Sequence, residues 1–338
     1  MQLSELGEFG LIKRLRAKCK NVPPEIMAGI GDDAAAIKTG TGKILVTSDM
    51  LLEGIHFDLS FTTFRQLGHK FLSVNISDIF AMGGKPKYFF ISLGIPGHLK
   101  PEDIDNLYSG ILKVAKKSGV AVAGGDTCAS GDGLVLSGTL IGTADRIITR
   151  SGAREGDGIY VTDTLGDSAM GLMILKSQKS EVRSQKFKNK NRNLKFKTQN
   201  SKLKTLNSKD VLHLIKKHLM PEPKPLKNTS KVTAMIDISD GLLIDLSHIC
   251  DESKAGAVIF RDEIPVSAEL RHAASISGLD PLDFALRGGE DYVLLFTAPP
   301  GVRTGAFKIG EIIKKGRFII DRKGRKRTFK AEGYEHFK

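Results

Sequence analysis

Short apolar runs bounded by glycine and proline recur along this chain between segments of helical periodicity. That alternation limits the folds open to it more than any composition figure does. Residues 4–18 place Leu6, Phe9, Ile12 and Leu15 on one stripe, which predicts an amphipathic helix ended by Pro23 and Pro24. The runs 34–37 and 44–51 flank a Gly-Thr-Gly turn and predict a hairpin. Helix periodicity returns at 64–82 through Phe64, Leu67, Phe71 and Val74, closed by Gly83, Gly84 and Pro86. A strand at 88–95 leads to a helix at 101–118, which opens with Pro101 and two acids and closes at Gly119. Strands at 120–125 and 134–144 follow. After a turn at 150–158 come a strand at 159–163, a helix from Ser168, and a helix at 209–219 broken by Pro221, Pro223 and Pro225. Strands at 234–238, 257–260 and 292–296, helices at 241–251 and 267–277, and two short terminal strands complete the pattern. Strands and helices mix without a strict βαβα rhythm, so the fold class expected is α+β. A length of 338 residues suits two domains, taken as 1–150 and 151–338.

Hydrophobic residues make up 41% of the chain, enough for two cores. The net charge of +13 points toward an anionic partner only if it is spread evenly. It is concentrated. Residues 176–209 hold twelve Lys and Arg against the single acid Glu181, leaving the remainder of the chain near neutral. The tract 178–208 has no apolar periodicity and cannot offset an ordering cost of roughly 1–2 kcal/mol per residue, so it is expected to be a disordered surface insert. With only Phe187 and Phe196 as stacking aromatics, it is a weak candidate for nucleic-acid binding. Three scattered cysteines, Cys19, Cys128 and Cys250, exclude a zinc knuckle or disulfide framework and suit a reducing compartment. No apolar leader opens the chain, and no uncharged run approaches the ~20 residues of a membrane span. A cytoplasmic protein is expected.

Two nucleotide motifs fail on inspection. GIGDDA at 29–34 imitates a dinucleotide loop, but Pro23 and Pro24 occupy the place of its strand and two carboxylates would repel a pyrophosphate. GTGKI at 40–44 lacks the Ser or Thr and the leading glycine of a P-loop. What remains is a set of acids at glycines or strand ends: Asp32, Asp33, Asp49, Asp78, Asp126, Asp237, Asp240, Glu290 and Asp291. Asp78 lies on the buried side of its helix, where an unpaired carboxylate is costly. Asp49, Asp126 and Asp237 are expected at strand ends that converge on a cleft. Asp-Gly pairs taken singly are ordinary turn residues. Recurring through both halves, with the hydroxyls of Thr47, Ser48 and Ser239, they form a hard-oxygen set suited to Mg²⁺ and a ligand bearing several phosphates.

These residues fall in ordered motifs: GIGDDAA, TSDMLLEGIHF, NISDIFAMGGKP, GGDT, TRSGAREGD, GDSAMGL, DISDGLLIDL, RGGEDYVLLF and GYEHF. Together they resemble the thiamine-monophosphate kinase family, in the superfamily of aminoimidazole ribonucleotide synthetase, selenophosphate synthetase and a hydrogenase maturation factor. The resemblance covers nearly everything outside 178–208. It implies an N-terminal α/β domain that dimerises through its mixed sheet, a C-terminal α+β domain, and ATP held by several Mg²⁺ for transfer of its γ-phosphoryl group to thiamine monophosphate. By the same resemblance, Asp32, Thr47, Ser48, Asp49, Asp78, Asp126, Asp237 and Asp240 match magnesium ligands, with Asp49, Asp126 and Asp240 at the catalytic centre. Tyr108, Gly125, Asp126, Arg150 and Ser239 match ATP contacts, and His56, Glu290 and Tyr334 match contacts to thiamine monophosphate.

The chain departs from the family pattern at Thr127, Cys128 and Ala129, where Thr-Thr-Arg usually follows Gly-Gly-Asp, and at Ser48 and Met50, where Thr is commoner. A selenophosphate synthetase would need a reactive Cys or selenocysteine with a Lys in an N-terminal glycine-rich motif. The hydrogenase factor would need a C-terminal Cys. An aminoimidazole ribonucleotide synthetase-like enzyme is the alternative catalyst, and a non-catalytic nucleotide- or RNA-binding module is the alternative from another class.

Overall fold

The structure, a computed structural model, describes residues 5, 7–18, 23–40, 42–188 and 207–336. The first stripe forms α1 (Glu8–Lys18), and Leu6 and Cys19 lie outside the described residues. A six-stranded sheet follows, built from β1 (Ile26–Ala28), β2 (Ala35–Thr39), β3 (Gly42–Leu52), β4 (Lys85–Pro96), β5 (Ala121–Ser130) and β6 (Val135–Thr143). Its order is β1-β2-β3-β6-β4-β5, antiparallel except for the β4–β5 pair. The expected hairpin is β2–β3, and β5 runs five residues past the glycines at which the sequence reading ended it.

One face of this sheet is covered by α2 (Phe64–Ala81), against which α3 (Pro101–Ser118) packs. Thr63 and Gln66 form a capping box at the start of α2, while Pro101 and the left-handed Gly119 bound α3 as their types demand. The two helices approach unusually closely. A Cβ on Gly68 would lie 1.9 Å from the Leu107 carbonyl oxygen, and one on Gly110 would lie 2.1 Å from that of Arg65. Phe71 of α2 meets Phe89 of β4 edge-on in the core beneath. The other face is open: Met50, Tyr88 and Phe90 are exposed on it.

The second sheet comprises β7 (Gly158–Val161), β8 (Ala234–Asp237), β9 (Gly256–Phe260), β10 (Leu294–Ala298), β11 (Phe307–Ile313), β12 (Arg317–Ile320) and β13 (Lys326–Thr328), ordered β13-β12-β9-β11-β7-β10-β8. Its helices are α4 (Asp167–Lys188), α5 (Ser208–Leu219), α6 (Leu242–Ser253), α7 (Ala268–Ser277) and α8 (Pro281–Arg287). Two sheets with helices make the protein α+β, as its alternation predicted.

Three expectations need correction. The insert does not begin as coil, because α4 continues through 178 to Lys188. Lys, Gln, Glu and Arg lose little rotamer freedom in a helix, so a composition too polar for a core is still compatible with one. The remainder, 189–206, lies outside the described residues. The C-terminal region holds three strands, not two. Finally, α8 was overlooked, although Asp280 caps it with Pro281 at its first position. Seven residues are too few to show a helical period. Among the described residues no helix is long and apolar enough to cross a membrane.

The halves meet where α2 reaches β8 and α5. There Ser77 Oγ donates to Asp237 Oδ2 over 2.6 Å. The functional cavity lies beside this contact.

Candidate active site

A cavity of about 530 Å³ opens between the two halves. Of the site residues expected from sequence, Asp32, Thr47, Ser48, Asp49, His56, Asp78, Arg150, Asp237, Ser239, Asp240, Glu290 and Tyr334 line it. Tyr108, Gly125 and Asp126 do not. Tyr108 packs on the core of the first half, and Gly125 and Asp126 sit on β5, the exposed edge strand. Asp126 pairs in register with Ser92 on the open face. Asp49 and Asp126 are thus mid-strand residues, and only Asp237 ends a strand.

Strand alternation sorts the β3 residues. Thr47 and Asp49 share the covered face, and the Thr47 hydroxyl donates to Asp78 on α2. Ser48 takes the opposite direction, with its hydroxyl 3.1 Å from that of Thr139. Three neighbours in sequence therefore cannot all aim at one point.

The centre of the acid group is Asp33, Asp78 and Asp237, each of which brings one carboxylate oxygen within 4.8 Å of the others. Asp33 was noticed in the sequence but not assigned as a ligand, because Asp32 matched the motif position. Arg150 separates their roles: its backbone N–H donates to Asp32 Oδ1 at 2.8 Å, and its guanidinium pairs with Asp33 Oδ1 at 2.9 Å. Two full carboxylate charges at this separation repel by roughly 3–4 kcal/mol at an effective dielectric of 20. Burial and these neighbours push Asp49 to about 6 and Asp237 to about 8. Burial, then Asp49 and Asp237, raises Asp78 well above the carboxylate range. Burial, then Glu8, takes Asp240 to about 7. One arginine does not balance such a group. Its buried, all-oxygen donor set fits a hard divalent cation.

Another part of the lining is different in kind. His56, Tyr334 and His336 form a chain of rings, with centroids 5.1 Å apart for His56–His336 and 5.0 Å for Tyr334–His336. His56 Nδ1 accepts from Leu52 N–H, and Tyr334 N–H donates to the Asp240 carbonyl. Glu8, on α1, accepts from His336 N–H, and both residues border the cavity. Glu290 is held by Lys70 at 2.6 Å and His218 at 3.1 Å. Burial opposes ionisation there, but the Lys70 ammonium and His218 bring Glu290 down to about 2. Lys70, His218 and His336 escaped the sequence reading. The histidine two residues after Tyr334 in GYEHF was a usable signal, whereas nothing in sequence separates Lys70 from a solvated lysine.

A mixed six-stranded sheet joined to a second α+β half, with a carboxylate cluster between them, defines a recognised architecture. Residues 31–144 match the family described as AIR synthase related protein, N-terminal domain, and residues 154–322 match its C-terminal domain. The chain belongs to this family. Within it, the chain is 34% identical to the thiamine-monophosphate kinase of Aquifex aeolicus over 344 aligned residues, covering 100% of both proteins. It is 30% identical to that of Rhodopirellula baltica, covering 87% of this chain and 82% of the relative. The solved structure described as AaThiL complexed with AMPPCP and TMP superposes with a TM-score of 0.82 at 32% identity, covering 99% of each chain. Among AIR synthase related proteins, it belongs with the thiamine-monophosphate kinases.

Proposed function

We propose that the chain transfers the γ-phosphoryl group of ATP to thiamine monophosphate by direct in-line attack, giving thiamine diphosphate and ADP, the last step in making thiamine diphosphate. The observation that carries this reading is the meeting, in one cavity, of an undercompensated acid cluster with a set of rings beside an ionised glutamate. The relatives named for this activity support it, the Aquifex aeolicus enzyme over the full length of both proteins and the Rhodopirellula baltica one over 82% of its own.

The acceptor is a phosphate monoester with a second pKa of about 6, so its attacking oxygen is mostly ionised at neutral pH. No general base is required, and the obstacle is the approach of two anions. Asp33, Asp78 and Asp237, with Asp32, Thr47, Ser48, Asp49 and Asp240 around them, are proposed to hold several Mg²⁺. When bound, Mg²⁺ supplies countercharge to the phosphates and stabilises charge on the transferring group. Arg150 orients Asp33 and offers its remaining N–H donors to phosphate, beside Ser239. Glu290 pairs with the cationic ring of the acceptor, with His56 and Tyr334 as its other contacts. Tyr108, Gly125 and Asp126 contact the nucleotide, and Asp126 acts with Asp49 and Asp240 as the catalytic acids. That role requires the nucleotide to extend to the edge strand β5.

The chain divides into domains at about residue 150, forms a homodimer through the open face of the first sheet, and acts in the cytoplasm without nucleic acid or membrane. The test is incubation with ATP, Mg²⁺ and thiamine monophosphate followed by product analysis, with the aminoimidazole ribonucleotide precursor in a parallel reaction. Thiamine diphosphate as product is the expected result. Turnover of the precursor alone would favour the synthetase-like alternative.

A further inference from the structure

Lys70 is 2% exposed, one of the largest fully buried side chains of the protein. A buried ammonium is costly unless its charge is met. Its Nζ lies 2.6 Å from Glu290 Oε1 and 3.4 Å from the backbone oxygen of His56. The other Glu290 oxygen lies 3.1 Å from His218 Nδ1, which also contacts Ser168 Oγ at 3.1 Å. The carboxylate is therefore gripped from α2 in the first half and from α5 in the second. Its backbone is constrained as well. Glu290 and Tyr292 have φ of 63° and 50°, and their N–H groups donate to the Ser239 and Ile238 carbonyls. Non-glycine residues hold such angles only where their surroundings impose them.

Glu290 and His218 line the cavity, but Lys70 does not, so the ammonium stands behind the carboxylate. A cation entering from the cavity meets the carboxylate at a shorter distance than the ammonium, and the net interaction is attractive. Without Lys70, burial would favour the neutral acid, which offers a cation much less.

We infer that Lys70 and His218 are positioning residues for the acceptor: they hold the Glu290 carboxylate aimed at the cationic ring of thiamine monophosphate, while Lys70 ties the His56 turn to the same point. Selectivity for a phosphate monoester carrying a cationic ring then originates in a lysine that never touches it. This rests on the kinase reading above.

The test is steady-state kinetics of the full chain carrying Lys70→Met. Loss of one charge-assisted contact should raise KM for thiamine monophosphate at least about tenfold while KM for ATP stays within about twofold. A neutral-ring analogue of thiamine monophosphate should be used equally well by both proteins. An unchanged KM for thiamine monophosphate, or a parallel rise for both substrates, would overturn the inference. Should Lys70→Met fail to fold, the Lys70→Met, Glu290→Gln pair removes both charges together. It should match Glu290→Gln alone in KM for thiamine monophosphate, and a further loss would mean that Lys70 acts elsewhere. A wild-type chain that leaves thiamine monophosphate unphosphorylated sinks the kinase reading first, and this inference with it.

Discussion

Single side chains carry most of the chemistry, and several act through a neighbour. Ser77 is buried and uses its hydroxyl to orient Asp237. Supporting hydrogen bonds of this type are worth about 10–100-fold in metal affinity or activity, so Ser77→Ala should shift the Mg²⁺ dependence of turnover upward by that factor. An unmoved Mg²⁺ midpoint would mean that Asp237 holds no ion. A second residue reports on stability. His248, on α6, lies against Phe9 with ring centroids 4.5 Å apart and planes tilted by 54°, and its Nε2 is buried without a hydrogen-bond partner. Burial, then the charges of Arg150 and Arg317, lowers it to about 4 from the usual 6.5. Its folded form is neutral where the unfolded form takes a proton, so its contribution to stability is complete above 6.5 and declines as pH falls toward 4. The melting temperature should drop across that window, and His248→Phe should flatten the drop. Equal slopes in the two proteins would remove His248 as the cause.

At the scale of elements, the α2–α3 contact governs the site indirectly. Lys70, Ser77 and Asp78 all ride on α2, and Gly68 sets how closely α2 approaches α3. Gly68→Ala places a methyl against the Leu107 carbonyl, an overpacking that costs about 1–3 kcal/mol. Denaturant unfolding should show a lower midpoint at constant slope, and an unchanged midpoint would indicate that the helices separate without strain. Elements were also the most legible level of the sequence. The ends of α3 followed from Pro101 and Gly119, whose backbone preferences act within a few residues. The extension of α4 to Lys188 is not legible in composition, because low hydrophobicity argues against a core and not against a helix, and these are different energies.

Among the described residues, an unpartnered apolar face matters at the scale of the whole molecule. On the open face of the first sheet, Met50 is 54% exposed, Tyr88 52% and Phe90 38%, and Met50 lies in register, through Ser137, with Ser92 and Asp126. If this face joins two copies, the wild-type chain should sediment as a dimer at micromolar concentration, and Phe90→Glu should shift it toward monomer, because a carboxylate at a dry interface is costly. A monomeric wild-type protein would discard the proposed homodimer. The same face carries Asp126, so activity that falls together with dimer content would connect the edge strand to nucleotide binding.

By itself the sequence determined which residues could do this chemistry. Acids beside glycines and hydroxyls, strand and helix periods, and helix caps depend on residue type and short spacing, and these survive in one dimension. Tertiary structure decided the partnerships. Only folding brings Asp33 and Asp78 to Asp237, gives Glu290 its buried lysine, and leaves Asp126 on an exposed edge. The electrostatic energy of a charge depends on its distance to other charges and on the water excluded around it, and neither can be read along a chain.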